Sequence, residues 1–313
     1  LDVIALKPNN TKVLPEIPVD NALLDQAMRE LDRLIGIENI KTQIREMVSV
    51  VRYYRETGKN VLSNFSLHTV LVGNPGTGKT TVARILAKIY KALGILERGH
   101  IVETDRQGLV AGFVGQTAIK TSEKIDESIG GVLFIDEAYA LSNFNGLQGD
   151  FGNEAIQTLL KRMEDLRGQF FVIVAGYPDN MEVFLKANPG LSSRFDKTIR
   201  FVDYTPHELE DIAIIMIETE GYKLSVKSKN LLNAIMTDLY SKRDKYFGNA
   251  RTVRKLILEI IKNQNLRISA IPQKERKKGQ FNIILPEDLS TIKGVQEAEI
   301  FVKQSIGFRS ADH

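Results

Sequence analysis

The chain of 313 residues contains no cysteine and only four histidines. Without cysteine it can form neither disulfide bonds nor thiolate metal sites, and this composition is typical of proteins from a reducing compartment. The histidines lie far apart in the sequence, at His68, His100, His207 and His313. Their spacing is not that of metal ligands, so we expect no zinc site.

Long apolar runs are also missing, since none approaches the roughly 20 residues that a transmembrane helix needs. Residues 1–21 show no basic-then-apolar secretory pattern, so we expect a cytoplasmic protein. Apolar residues make up 43% of the chain and charged residues 26%, as in ordinary soluble proteins. The net charge of +3 is too small to indicate nucleic acid as a partner. The basic run 274–278 is interpreted as a solvated loop, with a phosphate-binding patch as the alternative.

The most informative feature is the stretch Gly73–Thr80, which reads Gly-Asn-Pro-Gly-Thr-Gly-Lys-Thr. It fits the phosphate-loop pattern G-x-x-x-x-G-K-[ST], with an apolar strand before it and a helical pattern after it. Glycines allow backbone N–H groups to point at a phosphate chain, and the following helix directs its positive end at the anion. The alternative is a glycine-rich surface turn. The sequence therefore predicts that the protein binds a nucleoside triphosphate.

Most residues of this loop, and Thr81 after it, are predicted to bind the nucleotide. Lys79 is expected to neutralise the charge of the β- and γ-phosphates, and the Thr80 hydroxyl is expected to bind Mg²⁺. The residues predicted to contact the nucleotide here are Asn74, Pro75, Gly76, Thr77, Gly78, Lys79, Thr80 and Thr81.

A second group of candidate residues ends the apolar run 131–135, where Asp136 and Glu137 follow directly. In a parallel sheet, ligands collect at the carboxyl ends of strands, which would place both acids beside the phosphate loop. Asp136 is expected to hold Mg²⁺ through its water shell, and Glu137 to act as the base that polarises the attacking water. The alternative is a pair of solvated acids that ends a strand.

The order of predicted elements indicates two domains. Strand candidates at 68–73, 100–104, 131–136, 170–175 and 197–202 alternate with helices, which predicts a five-stranded parallel sheet flanked by helices. From Thr205 onward the pattern is helical, starting with a capping box that Glu208 completes. We therefore predict an extension at 1–20, an α/β domain at 21–203, a small all-helical lid at 204–293 and a tail at 294–313.

These features together resemble the AAA+ family of ring-forming ATPases, of the P-loop NTPase fold. The resemblance spans about residues 22–290 and is closest to the branch of CbbX, CfxQ and SpoVK. That branch includes the red-type Rubisco activase and the C-terminal ATPase domain of the secretion protein EccA. Besides the two motifs above, the segments that carry it are 34–37, 115–121, 130–139, 150–156, 175–177, 188–195 and 248–251.

The resemblance implies further site residues. Gly36 and Ile37 match the segment that meets the adenine, although by spacing alone Ile37 is an ordinary core residue. Arg194 matches the arginine finger that reaches the γ-phosphate of a neighbouring subunit, and a surface salt bridge is the alternative. Arg251 matches the second sensor on the lid. Where many AAA+ proteins have an asparagine after the fourth strand, this chain has Ala175-Gly176-Tyr177, so either Tyr177 or Asn180 is the first-sensor candidate.

Two loops match the pore loops of this family. Phe113 and Val114 lie between glycines and match the first pore loop, which grips a polypeptide in the centre of the ring. A buried Phe113 that closes the loop is the alternative. Residues 143–150 match the second pore loop.

The function implied is an ATPase that uses ATP and Mg²⁺, assembles as a homo-oligomer, expected to be a hexamer, and remodels a protein client of unknown identity. Two alternatives stay open at this point: a nucleic-acid motor or loader, and a nucleotide-gated assembly switch. The loop around Phe113 has no Lys or Arg within three residues, which disfavours the nucleic-acid motor.

Overall fold

A parallel five-stranded sheet lies at the centre of the computed structural model, which describes residues 17–59, 61, 67–113, 115–142 and 151–290. Its strands are β1 Thr69–Val72, β2 Ile101–Thr104, β3 Val132–Ile135, β4 Phe171–Gly176 and β5 Lys197–Arg200. Their order across the sheet is β2-β3-β4-β1-β5, and every pairing is parallel. The predicted sheet is confirmed.

Helices cover both faces of this sheet. They are α1 Asn21–Asp32, α2 Glu38–Glu56, α3 Lys79–Ala92, α4 Arg106–Leu109, α5 Gln116–Glu127, α6 Gly152–Asp165, α7 Pro178–Ala187 and α8 Pro189–Ser192. A 3-10 turn, Ala138–Ser142, follows β3. Successive strand side chains point to opposite faces. Leu71 therefore packs with α1, α2 and α3, whereas Val70 and Val72 pack with α5, α6 and α7. Strands that are buried on both faces read as continuous apolar runs for this reason.

Phe134, in β3, is a fully buried side chain of the sheet and allows a test of this packing. Phe134→Ala is expected to lower the free energy of unfolding by about 3–5 kcal/mol, because it removes buried apolar surface and leaves a cavity. Ile119→Ala is the control, since Ile119 lies exposed on α5 and its loss should change stability by less than about 0.5 kcal/mol. Urea unfolding followed by circular dichroism measures both; equal midpoints for the two variants would contradict the assignment of β3 to the core.

Past residue 204 the chain forms a helical lid, as predicted. Its helices are α9 Pro206–Thr219, α10 Val226–Ser241, α11 Asn249–Ser269 and α12 Pro286–Leu289, with 3-10 turns at Gln273–Glu275 and Lys278–Gln280. The capping box at the start of α9 is confirmed: the Glu208 N–H donates to Thr205 Oγ1, and the Thr205 N–H donates to Glu208 Oε2.

The lid also contains a parallel pair of strands that the sequence did not predict, β6 Lys223–Leu224 and β7 Ile283–Ile284. Two residues are too few for an alternating pattern to be recognised. Within the described ranges, no helix combines the length and the hydropathy that crossing a membrane would require.

Candidate active site

The phosphate loop lies at the carboxyl end of β1, directly before α3. Gly78 caps α3 with a left-handed backbone (φ 96°). Gly76 is also left-handed (φ 72°), and a Cβ there would lie 2.3 Å from the Gly248 carbonyl oxygen and 2.7 Å from the Arg251 nitrogen. Only glycine permits this approach, because any side chain would collide with backbone. The loop is therefore shaped to accept both a ligand and the start of lid helix α11.

Lys79 is directed into this loop. Its Nζ donates to the carbonyl oxygens of Gly73 at 2.8 Å and Asn74 at 2.9 Å. Burial lowers the pKa of Lys79, and the nearby Arg251 lowers it further, while Asp136 and Glu137 act in the opposite direction. An ammonium group has three N–H donors, so one remains for an anion in the loop.

Asp136 and Glu137 follow β3 and line the same cavity as Lys79 and Thr80. Asp136 is half-buried, and its Oδ1 accepts from the Glu137 N–H at 3.0 Å. Glu137 is exposed, and its backbone is left-handed (φ 48°). A non-glycine residue in this region is strained, and such strain concentrates at functional sites. The turn separates the two carboxylates, so each can take a different role.

Of the two first-sensor candidates, Tyr177 lines the cavity, whereas the exposed Asn180 is not among its described lining residues. The Tyr177 ring packs edge-on against Tyr246, at 5.7 Å between centroids, and lies 6.1 Å from Tyr139. Burial raises the pKa of Tyr139 to about 12, and the Glu137 charge contributes to the same shift. Tyr139 therefore stays protonated beside Glu137.

The cavity has a volume of about 540 Å³ and runs from the phosphate loop to an apolar end. Ile37 forms part of that end, together with Leu34 and Ile35. Gly36 is not among the described lining residues of the cavity. A Cβ there would stand 2.0 Å from Glu208 Oε1, so its backbone packs against the lid. Asn74 and Thr77 support the loop from outside the cavity, with Thr77 Oγ1 donating to the Asn74 carbonyl oxygen at 2.8 Å.

Lid helix α9 supplies the opposite apolar wall, which sequence reasoning missed. Its members are Ile212, Ile215 and Met216. Ile215 is 51% exposed, so its side chain is accessible to a ligand in the cavity. The sequence did contain a sign of this second apolar face, because α9 has more apolar residues than a single buried face of a helix requires.

Among the described residues, three arginines line the cavity: Arg251, Arg254 and Arg33. Arg251 and Arg254 lie one turn apart on α11, so they share a helix face. The sequence analysis predicted Arg251 and missed the other two, since neither belongs to a motif. Together with Lys79 they make the cavity suitable for a polyanion.

Arg194 lies away from this cavity. It precedes β5, whose first residue Lys197 pairs with Thr69 at the amino end of β1. The phosphate loop begins at the other end of that strand. Arg194 Nη2 lies 3.3 Å from Glu164 Oε2, and Nη1 donates to the Gly190 carbonyl oxygen. The residue therefore forms an ion pair within the subunit. It lies near the amino ends of the strands, whereas the phosphate loop of the same subunit lies at their carboxyl ends.

Phe113 is 73% exposed. A Cβ added to either flanking glycine, Gly112 or Gly115, would meet nothing within 4 Å. The alternative of a buried Phe113 is therefore wrong. Val114 and the predicted second pore loop at 143–150 lie outside the described residues.

Comparison with known proteins agrees with this architecture. The family model described as ATPase family associated with various cellular activities (AAA) matches residues 69–202, and that of the AAA lid domain matches residues 205–299. Stage V sporulation protein K of Bacillus subtilis is 39% identical over 276 residues, which cover 87% of this chain and 82% of that protein. The chain is an AAA+ ATPase.

A further relative supports the branch to which this AAA+ ATPase belongs. The chloroplastic ribulose bisphosphate carboxylase/oxygenase activase of Cyanidioschyzon merolae is 39% identical over 270 residues, which cover 85% of this chain and 91% of the activase. The predicted likeness to the branch of SpoVK and the red-type Rubisco activase is confirmed.

A solved structure extends the agreement to the fold. The FIGL-1 AAA domain in complex with ADP has a TM-score of 0.56 at 17% identity, covering 88% of this chain and 89% of that one. This likeness concerns the fold alone. From the family, the protein binds nucleotide and hydrolyses ATP.

Proposed function

We propose that this ATPase binds ATP with Mg²⁺ in the cavity between the phosphate loop and the lid. We further propose that it works as a homo-oligomeric ring of six subunits that remodels a protein client. The observation that carries the proposal is the placement of Arg194 and Phe113. Both lie outside the nucleotide cavity: Arg194 near the amino ends of the strands, and Phe113 exposed on a loop.

The ATP orientation follows from the two ends of the cavity. The phosphates lie on the loop backbone, with Lys79 donating to them and Arg251 contacting them from the lid. The adenine lies between Ile37 on one side and Ile212 and Met216 on the other, where apolar walls exclude water. Gly36 helps to hold the lid beside this apolar end, because its backbone packs against Glu208.

The residues near the phosphates fit a magnesium ion. The Thr80 hydroxyl and the Asp136 carboxylate line the cavity together, and both are hard oxygen donors of the kind that Mg²⁺ prefers. Such an ion neutralises charge on the β- and γ-phosphates when bound. Glu137, on its strained turn, accepts a proton from the attacking water, and Tyr177, which lines the same cavity, orients that water.

Ring assembly brings Arg194 to a nucleotide. Because the amino ends of the strands face away from the subunit's own phosphate loop, Arg194 completes the site of the next subunit in a head-to-tail ring. Its ion pair with Glu164 fixes the guanidinium at the surface until the neighbour's γ-phosphate is in reach.

Phe113 contacts the client at the centre of that ring. An exposed aromatic side chain can hold many sequences, because apolar contact is non-directional and scales with area. The loop carries no basic residue for a phosphate backbone, which favours a polypeptide over nucleic acid.

Phe113→Ala tests this role. The variant is expected to lose at least tenfold in affinity for a denatured model protein in the presence of ATP, since a buried aromatic contact contributes a few kcal/mol. Its affinity for ATP should stay at the wild-type value, because Phe113 is not part of the nucleotide cavity. Fluorescence anisotropy of the labelled denatured protein and of a fluorescent ATP analogue measures both.

A photoreactive residue at position 113 identifies the contact directly. We expect ATP-dependent crosslinks to the denatured protein, and none from the same group at Ile119, which is also exposed. Preferential crosslinking to single-stranded DNA added in competition would replace the proposal with a nucleic-acid motor. Equal crosslinking from both positions would remove the support for a client-gripping loop.

A further inference from the structure

A buried polar cluster connects the phosphate loop to the lid and has no assigned role. At its centre is Asn249, the first residue of α11, whose side chain is fully buried. Its Nδ2 donates to Asp203 Oδ1 at 2.8 Å and to the Phe247 carbonyl oxygen at 3.1 Å, and lies 3.4 Å from the Pro75 carbonyl oxygen. Its Oδ1 accepts from the Tyr204 N–H at 2.9 Å.

The same Asp203 oxygen holds the phosphate loop. Asn74 Nδ2 donates to Asp203 Oδ1 at 2.9 Å. Two further hydrogen bonds join residues 204 and 250 to the phosphate loop. The Tyr204 hydroxyl donates to the Thr77 carbonyl oxygen at 3.2 Å, and the Ala250 N–H donates to the Gly76 carbonyl oxygen at 3.2 Å. The Asp203 carboxylate therefore accepts one hydrogen bond from an amide of the loop and one from an amide of the lid.

The chemistry of the partners determines the orientation of the Asn249 amide. A backbone N–H can only donate and a carboxylate can only accept, so Oδ1 must face Tyr204 and Nδ2 must face Asp203. The backbone of Asn249 is left-handed (φ 45°). Asparagine and glycine adopt this conformation with less strain than other residues. Both the side chain and the backbone thus specify asparagine at this position.

We propose that Asn249 is a positioning residue that sets the lid, and with it Arg251, relative to the phosphate loop. It does not touch the nucleotide. Because Arg251 follows two residues later on the same helix, the bonds of Asn249 determine where that guanidinium meets the phosphates. The part of this proposal that concerns contact between Arg251 and the nucleotide rests on the proposed function. The part that concerns the position of the lid does not.

Asn249→Asp is the most selective test. The new carboxylate keeps the shape and still accepts from Tyr204, but it loses both donors and meets Asp203 as a like charge. We expect KM for ATP to rise on the order of tenfold, as for a lost hydrogen bond to a charged group, with a smaller change in kcat. Asn249→Gly tolerates the left-handed backbone and removes the two donors together with the acceptor of the Tyr204 N–H, without adding a charge. KM should rise in this variant too, which keeps the test valid if the first variant fails to fold.

The lid offers a matched control. Asn233 Nδ2 donates to Glu210 Oε2 at 2.6 Å, which is also an amide–carboxylate pair but lies within the lid. Asn233→Asp also sets two carboxylates against each other, but away from the phosphate loop and at an exposed position, where solvent weakens the repulsion. It should lower stability slightly while KM stays within about twofold of the wild-type value.

Exchanging the side chains at positions 249 and 203 should restore the hydrogen bond between them. In the double variant Asn249→Asp with Asp203→Asn, the total charge is unchanged, and the amide now at position 203 can donate to the carboxylate at position 249. Asn74 can turn its own amide over and accept instead. The carboxylate at position 249 still cannot donate to the Phe247 carbonyl oxygen, so we expect a partial recovery, with KM between the values of Asn249→Asp and the wild type.

The position of the lid can be measured without nucleotide. Since the chain has no cysteine, Glu46→Cys on α2 and Lys229→Cys on α10, both exposed, can be labelled cleanly for energy transfer. Asn249→Asp should broaden the distance distribution, and the exchanged pair should narrow it again. An unchanged distribution in Asn249→Asp and Asn249→Gly, or equal KM values for Asn249→Asp and Asn233→Asp, would overturn the proposal. Failure of the wild-type protein to bind ATP would instead refute the proposed nucleotide site and leave the distance test intact.

Discussion

Replacing Glu137 by glutamine is expected to lower the rate of ATP hydrolysis by roughly 10²–10⁴-fold, the usual contribution of a positioned general base. The amide has nearly the same shape as the carboxylate but cannot accept the proton of the attacking water. Nucleotide affinity should be retained, because in the proposed site the loop and Lys79 hold the phosphates. Single-turnover hydrolysis and binding of a fluorescent ATP analogue separate the two effects.

Two further variants serve as controls for this result, one expected to lose ATP binding and one expected to change nothing. Lys79→Ala should abolish tight ATP binding, since it removes the ammonium that faces the loop. Glu97→Gln, at an exposed position outside the cavity, should leave both binding and hydrolysis unchanged. Wild-type turnover in Glu137→Gln would show that another group is the base, and loss of binding would show that Glu137 supports the loop instead.

Removing the side chain of Arg194 should reduce hydrolysis by roughly 10³–10⁵-fold, as for arginines that neutralise transition-state charge in related phosphoryl transfers. ATP affinity should change little, because the subunit's own Arg194 lies at the amino end of the sheet. Steady-state ATPase activity, measured on rings whose assembly is checked by light scattering, gives the comparison.

Mixing two inactive proteins distinguishes a shared site from a structural defect. Arg194→Ala retains an intact phosphate loop, and Lys79→Ala retains an intact arginine, so a head-to-tail contact between them rebuilds one site. In an equimolar mixture about one quarter of the sites should be complete, and activity should return in proportion. Glu164→Gln is the companion variant: it frees Arg194 from its ion pair and should retain activity. No recovery in confirmed mixed rings would refute a finger that acts between subunits.

The features that the sequence predicted correctly are those that depend on residues close together in the chain. The strand positions follow from apolar runs, and the capping box at Thr205 and Glu208 from a three-residue spacing. For nucleotide binding, the phosphate loop and the Asp136–Glu137 pair are motifs whose residues remain adjacent once the chain folds. Because the carboxyl ends of parallel strands share one edge, the order of the strands along the chain is enough to place these two motifs together.

Other parts of the candidate site have no local pattern. Arg33 and Arg254 line the cavity from different parts of the chain, and each reads as an ordinary surface residue in the sequence. The exposure of Phe113 could not be decided either, because a loop aromatic between glycines can turn inward or outward. The two-residue strands of the lid are too short to produce any periodic signal.

By itself, then, the sequence determined the fold class, the nucleotide-binding loop and the acidic pair, since local propensity and residue spacing encode them. Only the tertiary structure decided which face of the lid covers the loop. That choice depends on contacts between residues far apart in the chain: Asn74 and Asn249 meet at Asp203, and the apolar wall of α9 lies opposite Ile37. The burial of Asn249 makes its contacts specific, because a buried amide without a partner costs free energy on folding.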